Sequence, residues 1–244
     1  MQKACRARDR EITTVLFDMD NTLFDFVSAK REACRCIVEQ VGAGNEDELF
    51  GYFLRGVHGF EDHGNIRDYL ATLDLVCPET FATCCRIYEE VKLACITPYP
   101  GVETTLCRLR DADLTLAVVT DAESGQATRR LTRTGLLDHF EIVVTPDISG
   151  KRKPAPDSFR CALARCGAEP HQAMMVGDSP NRDIAPGREL GMLTAFARYG
   201  DWRSGEKTEP EADFVLTGFS ALLDHLGLGP DRTGGQTHRD VLRP

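Results

Sequence analysis

The sequence predicts an α/β fold: a doubly wound, three-layer, Rossmann-like core with a parallel sheet, carrying an inserted helical domain after its first strand. Three observations predict it. Short apolar runs recur along the chain, helical patterns separate most of them, and a long purely helical stretch divides the first run from the second. Alternating strands and helices of this kind build parallel sheets with helices on both faces.

The apolar runs are Ile12–Phe17, Leu114–Val119, Glu141–Val144, Ala173–Val176, Leu193–Ala197 and Asp213–Leu216. Most are aliphatic throughout rather than alternating, as expected of strands buried on both faces. Thr104–Asp111, Gly125–Thr134, Asp157–Cys166 and Asp183–Leu190 read as helices of the core, and Gly135, Gly167 and Gly191 are plausible stop signals. Between the first two runs, Phe26–Val41, Glu46–Arg55, Ile66–Leu73 and Pro78–Ala94 read as helices, and Pro98–Gly101 marks the return to the core. The expected division is therefore a core of residues 1–24 and 99–229, a helical domain of residues 25–98, and a mobile polar, Gly-rich tail from Pro230.

The 244 residues suffice for one such core with a modest insertion. A formal net charge of -9 argues against broad nucleic-acid binding, which relies on a cationic surface. No apolar run reaches the roughly 18 residues of a membrane span, and the basic N-terminus has no signal-type apolar segment behind it. The 10 cysteines form no C-x-x-C pair and no Cys/His metal spacing. Inert thiols in a reducing cytoplasm are the expectation.

Open α/β sheets hold ligands at the C-terminal ends of their strands. Those ends carry Asp18 and Asp20 after the first run, Thr120 and Asp121 after the second, Lys153 beyond the third, and Asp178, Ser179 and Asp183 beyond the fourth. Clustered carboxylates repel one another and need a cation to stay ionised; an all-oxygen set suits Mg²⁺. Lys153 and the Thr120 hydroxyl add positive charge and a donor for an anion, which together would let a carboxylate attack phosphorus.

In this pattern the chain resembles the haloacid dehalogenase-like hydrolase superfamily, in its phosphatase branch with a helical cap of the C1 type. Asp18-Met19-Asp20-Asn21-Thr22 resembles the first motif and Val118-Val119-Thr120 the second. Lys153-Pro154 resembles the third, and Gly177-Asp178-Ser179 with Asp183 the fourth. The resemblance runs from about residue 12 to 228, and all four motifs stand in order behind a predicted strand.

It implies a Mg²⁺-dependent phosphatase acting on a small phosphorylated metabolite, a monomer or homodimer without nucleic-acid or membrane partners. Asp18 is implied as nucleophile and metal ligand, and Asp20 as acid–base whose backbone carbonyl also meets the metal. Thr120 would hold a phosphate oxygen, and Lys153 would balance charge on nucleophile and phosphate. Asp178 would be a metal ligand, and Asp183 a direct or supporting one. A phosphomutase shares this machinery; a carbon–halogen hydrolase lacks the second aspartate, so Asp20 argues against it. A silent binding protein has no chemical need for the full set.

Other positions carry plainer readings. Asp121 places an extra negative charge beside the anion site unless it is turned away or compensated. Thr120 could cap the next helix. Arg129, Arg130 and Arg133 read as an exposed helix face, and Gly56–Gly64 as a surface linker rather than a substrate-facing loop. Arg55 and Arg67 are weaker candidates for substrate contact.

Overall fold

Alternation of side chains across the pleat, with both faces apolar, sets the centre of the molecule. The structure, a computed structural model, describes residues 5–7, 9–202 and 210–229; the tail expected from Pro230 lies outside them. An antiparallel pair, β1 (Cys5–Ala7) and β2 (Arg10–Ile12), leads into the first strand of the main sheet, β3 (Thr14–Phe17). The single apolar run expected over Ile12–Phe17 is thus split: Ile12 belongs to the hairpin, and pairing with the main sheet begins at Thr14.

Four helices follow: α1 (Phe26–Val41), α2 (Glu46–Leu54), α3 (Gly64–Thr72) and α4 (Pro78–Ala94). The chain then alternates through α5 (Val102–Asp111), β4 (Thr115–Val119), α6 (Ser124–Arg133), β5 (Ile142–Val144), α7 (Pro146–Ser149) and α8 (Pro156–Cys166). It continues with β6 (Ala173–Gly177), α9 (Ala185–Glu189), β7 (Leu193–Ala197), β8 (Phe214–Leu216) and α10 (Ala221–His225). The helix expected over Asp183–Leu190 is divided, because a π-helical turn over Pro180–Ile184 precedes α9. Pro186 lies in the first turn of α9, where its missing N–H costs nothing.

The six strands β3–β8 are parallel in the order β5-β4-β3-β6-β7-β8. Along β3, Val15 and Phe17 face the layer containing Leu106, Leu131 and Leu222, while Leu16 faces Phe159 and Ala162 of α8. Val118 and Val176 repeat the first orientation; Ala117, Val119 and Met175 repeat the second. Two apolar faces and two helix layers explain why these runs read as continuously hydrophobic. From β3 the chain goes first to β4 on one side and later to β6 on the other, so the switch point lies at the end of β3.

Helices α1–α4 have their own apolar core, with Cys34, Ile37, Leu49, Ile66 and Leu70 buried and the Phe53 and Tyr88 rings stacked at 5.0 Å. Two lysines, Lys30 and Lys92, are buried with them. The chain leaves and re-enters the core side by side: the Asp25 amide donates to Thr97 O (3.1 Å) and the Tyr99 amide to Leu23 O (3.0 Å).

The turn between β3 and α1 is fixed by side-chain caps. Asn21 sits at φ 63°, and its Oδ1 accepts from the amides of Phe26 (3.1 Å) and Val27 (3.0 Å); Asp25 Oδ1 accepts from Ser28 N (2.9 Å). These satisfy the otherwise orphaned donors at the start of α1. From the far side, Tyr199 donates its hydroxyl to Thr22 O (2.8 Å), and Gly200 packs so closely that an added methyl would lie 1.6 Å from Asn21 O.

Substituting Gly200→Ala forces this turn apart and should destabilise the fold by about 1–3 kcal/mol. Gly125→Ala, inside α6 with nothing near its missing methyl, should be neutral or stabilise by up to about 1 kcal/mol. Urea unfolding of the two variants against the parent measures both.

Candidate active site

The switch point gathers charge at the end of β3. Asp18 is only 5 % exposed. Its Oδ1 accepts from Lys153 Nζ, and its Oδ2 accepts from the Thr22 hydroxyl (3.2 Å), which in turn accepts from the Asp178 amide (3.1 Å). Lys153 also donates to Asp183 Oδ1 (2.7 Å), and Asp183 Oδ2 accepts from the Ser179 amide (2.9 Å). Thus β3, β6, the π-turn and the segment before α8 meet in one buried cluster. Gly177 permits it, since an added methyl would lie 2.4 Å from Asp183 Oδ2.

Burial pushes Asp183 up to about 6, although Lys153 opposes it. Burial alone would lower the Lys153 ammonium, but Asp18 and Asp183 outweigh it and hold that pKa above its ordinary value. Lys153 is therefore a fixed cation.

Asp18, Asp178 and Asp183 each bring a carboxylate oxygen within 4.8 Å of the others. The donor set is all oxygen, anionic and buried, so it fits a hard divalent cation such as Mg²⁺. Both oxygens of Asp183 already have partners in Lys153 and Ser179. The Asp20 carboxylate stands outside this triangle, leaving its backbone carbonyl as the expected contribution.

Thr120 ends β4, is buried, and its Oγ1 accepts from the Ala122 amide (3.1 Å). Asp121 is compensated rather than disruptive. Its Oδ1 accepts from the Lys153 amide (2.8 Å), its Oδ2 pairs with Arg182 (3.4 Å), and Arg152 donates to its carbonyl. The extra carboxylate holds the Lys153 segment in place.

Asp20 turns toward α6. Its Oδ2 accepts from Arg130 NH1 (2.6 Å), and Arg130 NH2 donates to Glu61 Oε2. Glu61 also meets Lys92 (2.9 Å), which reaches Glu89 (3.1 Å). Burial pushes Asp20 up to about 7; Arg130 opposes this, while Glu61 and Asp18 reinforce it. Burial would raise Glu61 as well, but Arg130 and Lys92 prevail and hold it at about 2. Arg130 is therefore not part of an exposed face: it is 2 % exposed, while Arg129 and Arg133 do lie on the surface. The signal was present in the helical spacing, because Ala127, Arg130 and Leu131 share the buried side of α6.

Above the cluster lies a cavity of about 710 Å³. Asp18, Asp20, Thr120 and Asp178 border it, together with Phe26, Phe60, Glu61, Asp62, Gln126 and Trp202 and with Arg152 and Arg182. The Gly56–Gly64 connection is thus more than a surface linker: its residues 59–62 form part of the cavity wall. Buried side chains pin it. Lys30 donates to Phe60 O, and Asn65 Nδ2 donates to the carbonyls of Gly59 (2.9 Å) and Asp62 (3.0 Å). Trp202 stacks on Phe60 at 5.8 Å. Arg55 pairs with Asp68 (2.9 Å) and Arg67 lies over the Phe81 ring; neither borders the cavity.

Residues 15–197 match the family of haloacid dehalogenase-like hydrolases. The chain belongs to this family. A glyceraldehyde 3-phosphate phosphatase of Methanocaldococcus jannaschii is 30 % identical over 87 % of this chain and 96 % of its own length. A plasmid-encoded phosphoglycolate phosphatase of Cupriavidus necator is 30 % identical over 86 % of this chain and 91 % of its own. Among solved structures, that of a β-phosphoglucomutase assigned in Thermotoga maritima superposes with a TM-score of 0.75. That match covers 88 % of this chain and 99 % of the other at 21 % identity, which speaks to the fold alone. The fold expected from sequence, with its six-stranded parallel sheet, is that of this hydrolase family. No helix among the described residues is long and apolar enough to cross a membrane.

The Thr22 hydroxyl joins Asp18 to the Asp178 amide inside the cluster. Thr22→Val keeps the shape but leaves that buried amide without its acceptor, and should cost about 1–3 kcal/mol in chemical denaturation.

Proposed function

We propose that the protein is a Mg²⁺-dependent phosphomonoesterase that forms an aspartyl phosphate on Asp18. The observation that carries this reading is the Asp18 carboxylate, tied to Lys153 and Thr22 where it borders a cavity, with Asp20 two residues away. Asp18 and Asp178 would hold the metal, together with the Asp20 carbonyl, and Asp183 would support them while fixing Lys153. Bound there, Mg²⁺ would offset negative charge on the phosphoryl group and keep the carboxylates ionised.

In the first half-reaction an Asp18 oxygen bonds to phosphorus as the bond to the leaving oxygen breaks, and Asp20 gives that oxygen its proton. In the second, Asp20 takes a proton from water, the water oxygen bonds to phosphorus, and the Asp18–phosphorus bond breaks. Phosphate leaves, with Asp18 again a carboxylate and Asp20 again protonated. Lys153 and the Thr120 hydroxyl accompany the phosphoryl charge throughout. A raised Asp20 suits this work, since a carboxyl near neutrality can both give and accept a proton. Residues 25–98 would serve as a cap that excludes bulk water and meets the leaving group.

The relatives named for glyceraldehyde 3-phosphate and phosphoglycolate bracket the substrate question. The cavity that would receive the leaving group is bordered by Phe26, Phe60 and Trp202, by the carboxylates of Glu61 and Asp62, and by Arg152 and Arg182.

Phosphate release from a panel of metabolites, with Mg²⁺ and with chelator, tests the reading. Release should need the metal and vanish in Asp18→Asn; Asp20→Asn should lose about 10²-fold or more. An isomerised sugar phosphate without free phosphate would instead indicate a mutase.

A further inference from the structure

The Asp20–Arg130–Glu61 chain is not required by the four motifs, yet it carries a buried arginine from the core helix α6 to the edge of the cavity. Arg130 uses one arm of its guanidinium on Asp20 Oδ2 and another on Glu61, and its Cζ lies 4.1 Å from the Phe26 ring centroid. The guanidinium fork is rigid, so two carboxylates and a ring fix it in one place. Glu61 is itself fixed by Lys92. The other oxygen of Asp20, Oδ1, is buried with no hydrogen-bond partner among the described residues. A buried carboxylate oxygen without a partner is costly, and such an atom in a cavity-lining residue calls for an explanation. A leaving-group oxygen arriving in the cavity would provide the missing partner.

We propose that Arg130 is a positioning residue for Asp20. It ties Oδ2 and so leaves Oδ1 as the oxygen that exchanges protons with the leaving group, while Glu61 holds the guanidinium from the side of the inserted helices. The inference rests on the phosphomonoesterase reading above and adds to it the atom that carries the proton and the residue that aims it. Arg130 touches neither phosphorus nor metal in this arrangement; it acts through Asp20. Because Glu61 belongs to the segment between α2 and α3, the aim of Asp20 depends on the inserted helices being docked.

A pair of aryl esters separates aim from general damage. Phenyl phosphate and 4-nitrophenyl phosphate have nearly the same shape, but phenolate is the much more basic leaving group and depends far more on protonation. The quantity to compare is kcat/KM, which reports the step in which the leaving group departs. Arg130→Gln should lower it about 10- to 100-fold for phenyl phosphate, a share of what a positioned acid supplies, and much less for 4-nitrophenyl phosphate. Arg130→Lys should recover part of the loss, and Glu61→Gln should shift the ratio in the same direction. If Arg130→Gln fails to fold, the Lys and Glu61 variants decide the question alone. Equal losses on both esters, or no loss on phenyl phosphate, would overturn the proposal. Failure of the underlying reading shows earlier and differently: the unmutated protein would hydrolyse neither ester, or Asp18→Asn would remain active.

Discussion

Everything at the end of the sheet depends on one ammonium. Lys153 lies between Asp18 and Asp183, and all three side chains are almost wholly buried. Two buried carboxylates so close together can both stay ionised only with a cation between or beside them. The ammonium makes the cluster possible, and the rest of the structure serves to place it. Asp121 holds its backbone amide, Arg152 holds the Asp121 carbonyl, and the sheet register levels the ends of β3, β4 and β6. The extra carboxylate at Asp121, a liability when read alone, is a structural clamp in this setting.

The same economy of charge recurs among the inserted helices. Lys30 and Lys92 are buried where apolar residues would pack with less penalty, and Lys30 is lowered to about 7 by that burial. What they do locally is hold the cavity-lining segment: Lys30 takes the Phe60 carbonyl, and Lys92 takes Glu61. A Gly-containing connection has few side chains of its own to order it. Polar groups from the helices beneath provide the order, which is why a stretch that reads as a linker forms a wall.

The parts legible in the sequence were those governed by local pattern. Both-face burial makes β4, β6 and β7 continuous apolar runs, and helices α1 and α4 show their bounds in Asp25, Gly42 and Pro78. The residues that gather in the buried cluster were legible as candidates because each stands just beyond such a run. The less legible features were long-range. Nothing near Arg130 says that Asp20, 110 positions away, is its partner, although the helical period placed it on the buried side. The split of the first run at Ile12 depends on pairing with Cys5, and the π-turn before α9 depends on Ser179 and Asp183 bonding back to each other; neither leaves a periodic trace.

The strand order carries a consequence for assembly in time. β3 is the first of the main strands to be synthesised, yet it is central, and its two neighbours pair Thr14 with Thr115 on one side and with Ala173 on the other. Contacts so distant along the chain form slowly, because the intervening loops must close first. Asp18 therefore emerges long before the lysine that neutralises it and before the strand that carries Asp178. A strand early in the chain and central in the sheet thus ties completion of the buried cluster to the half of the core that is made last.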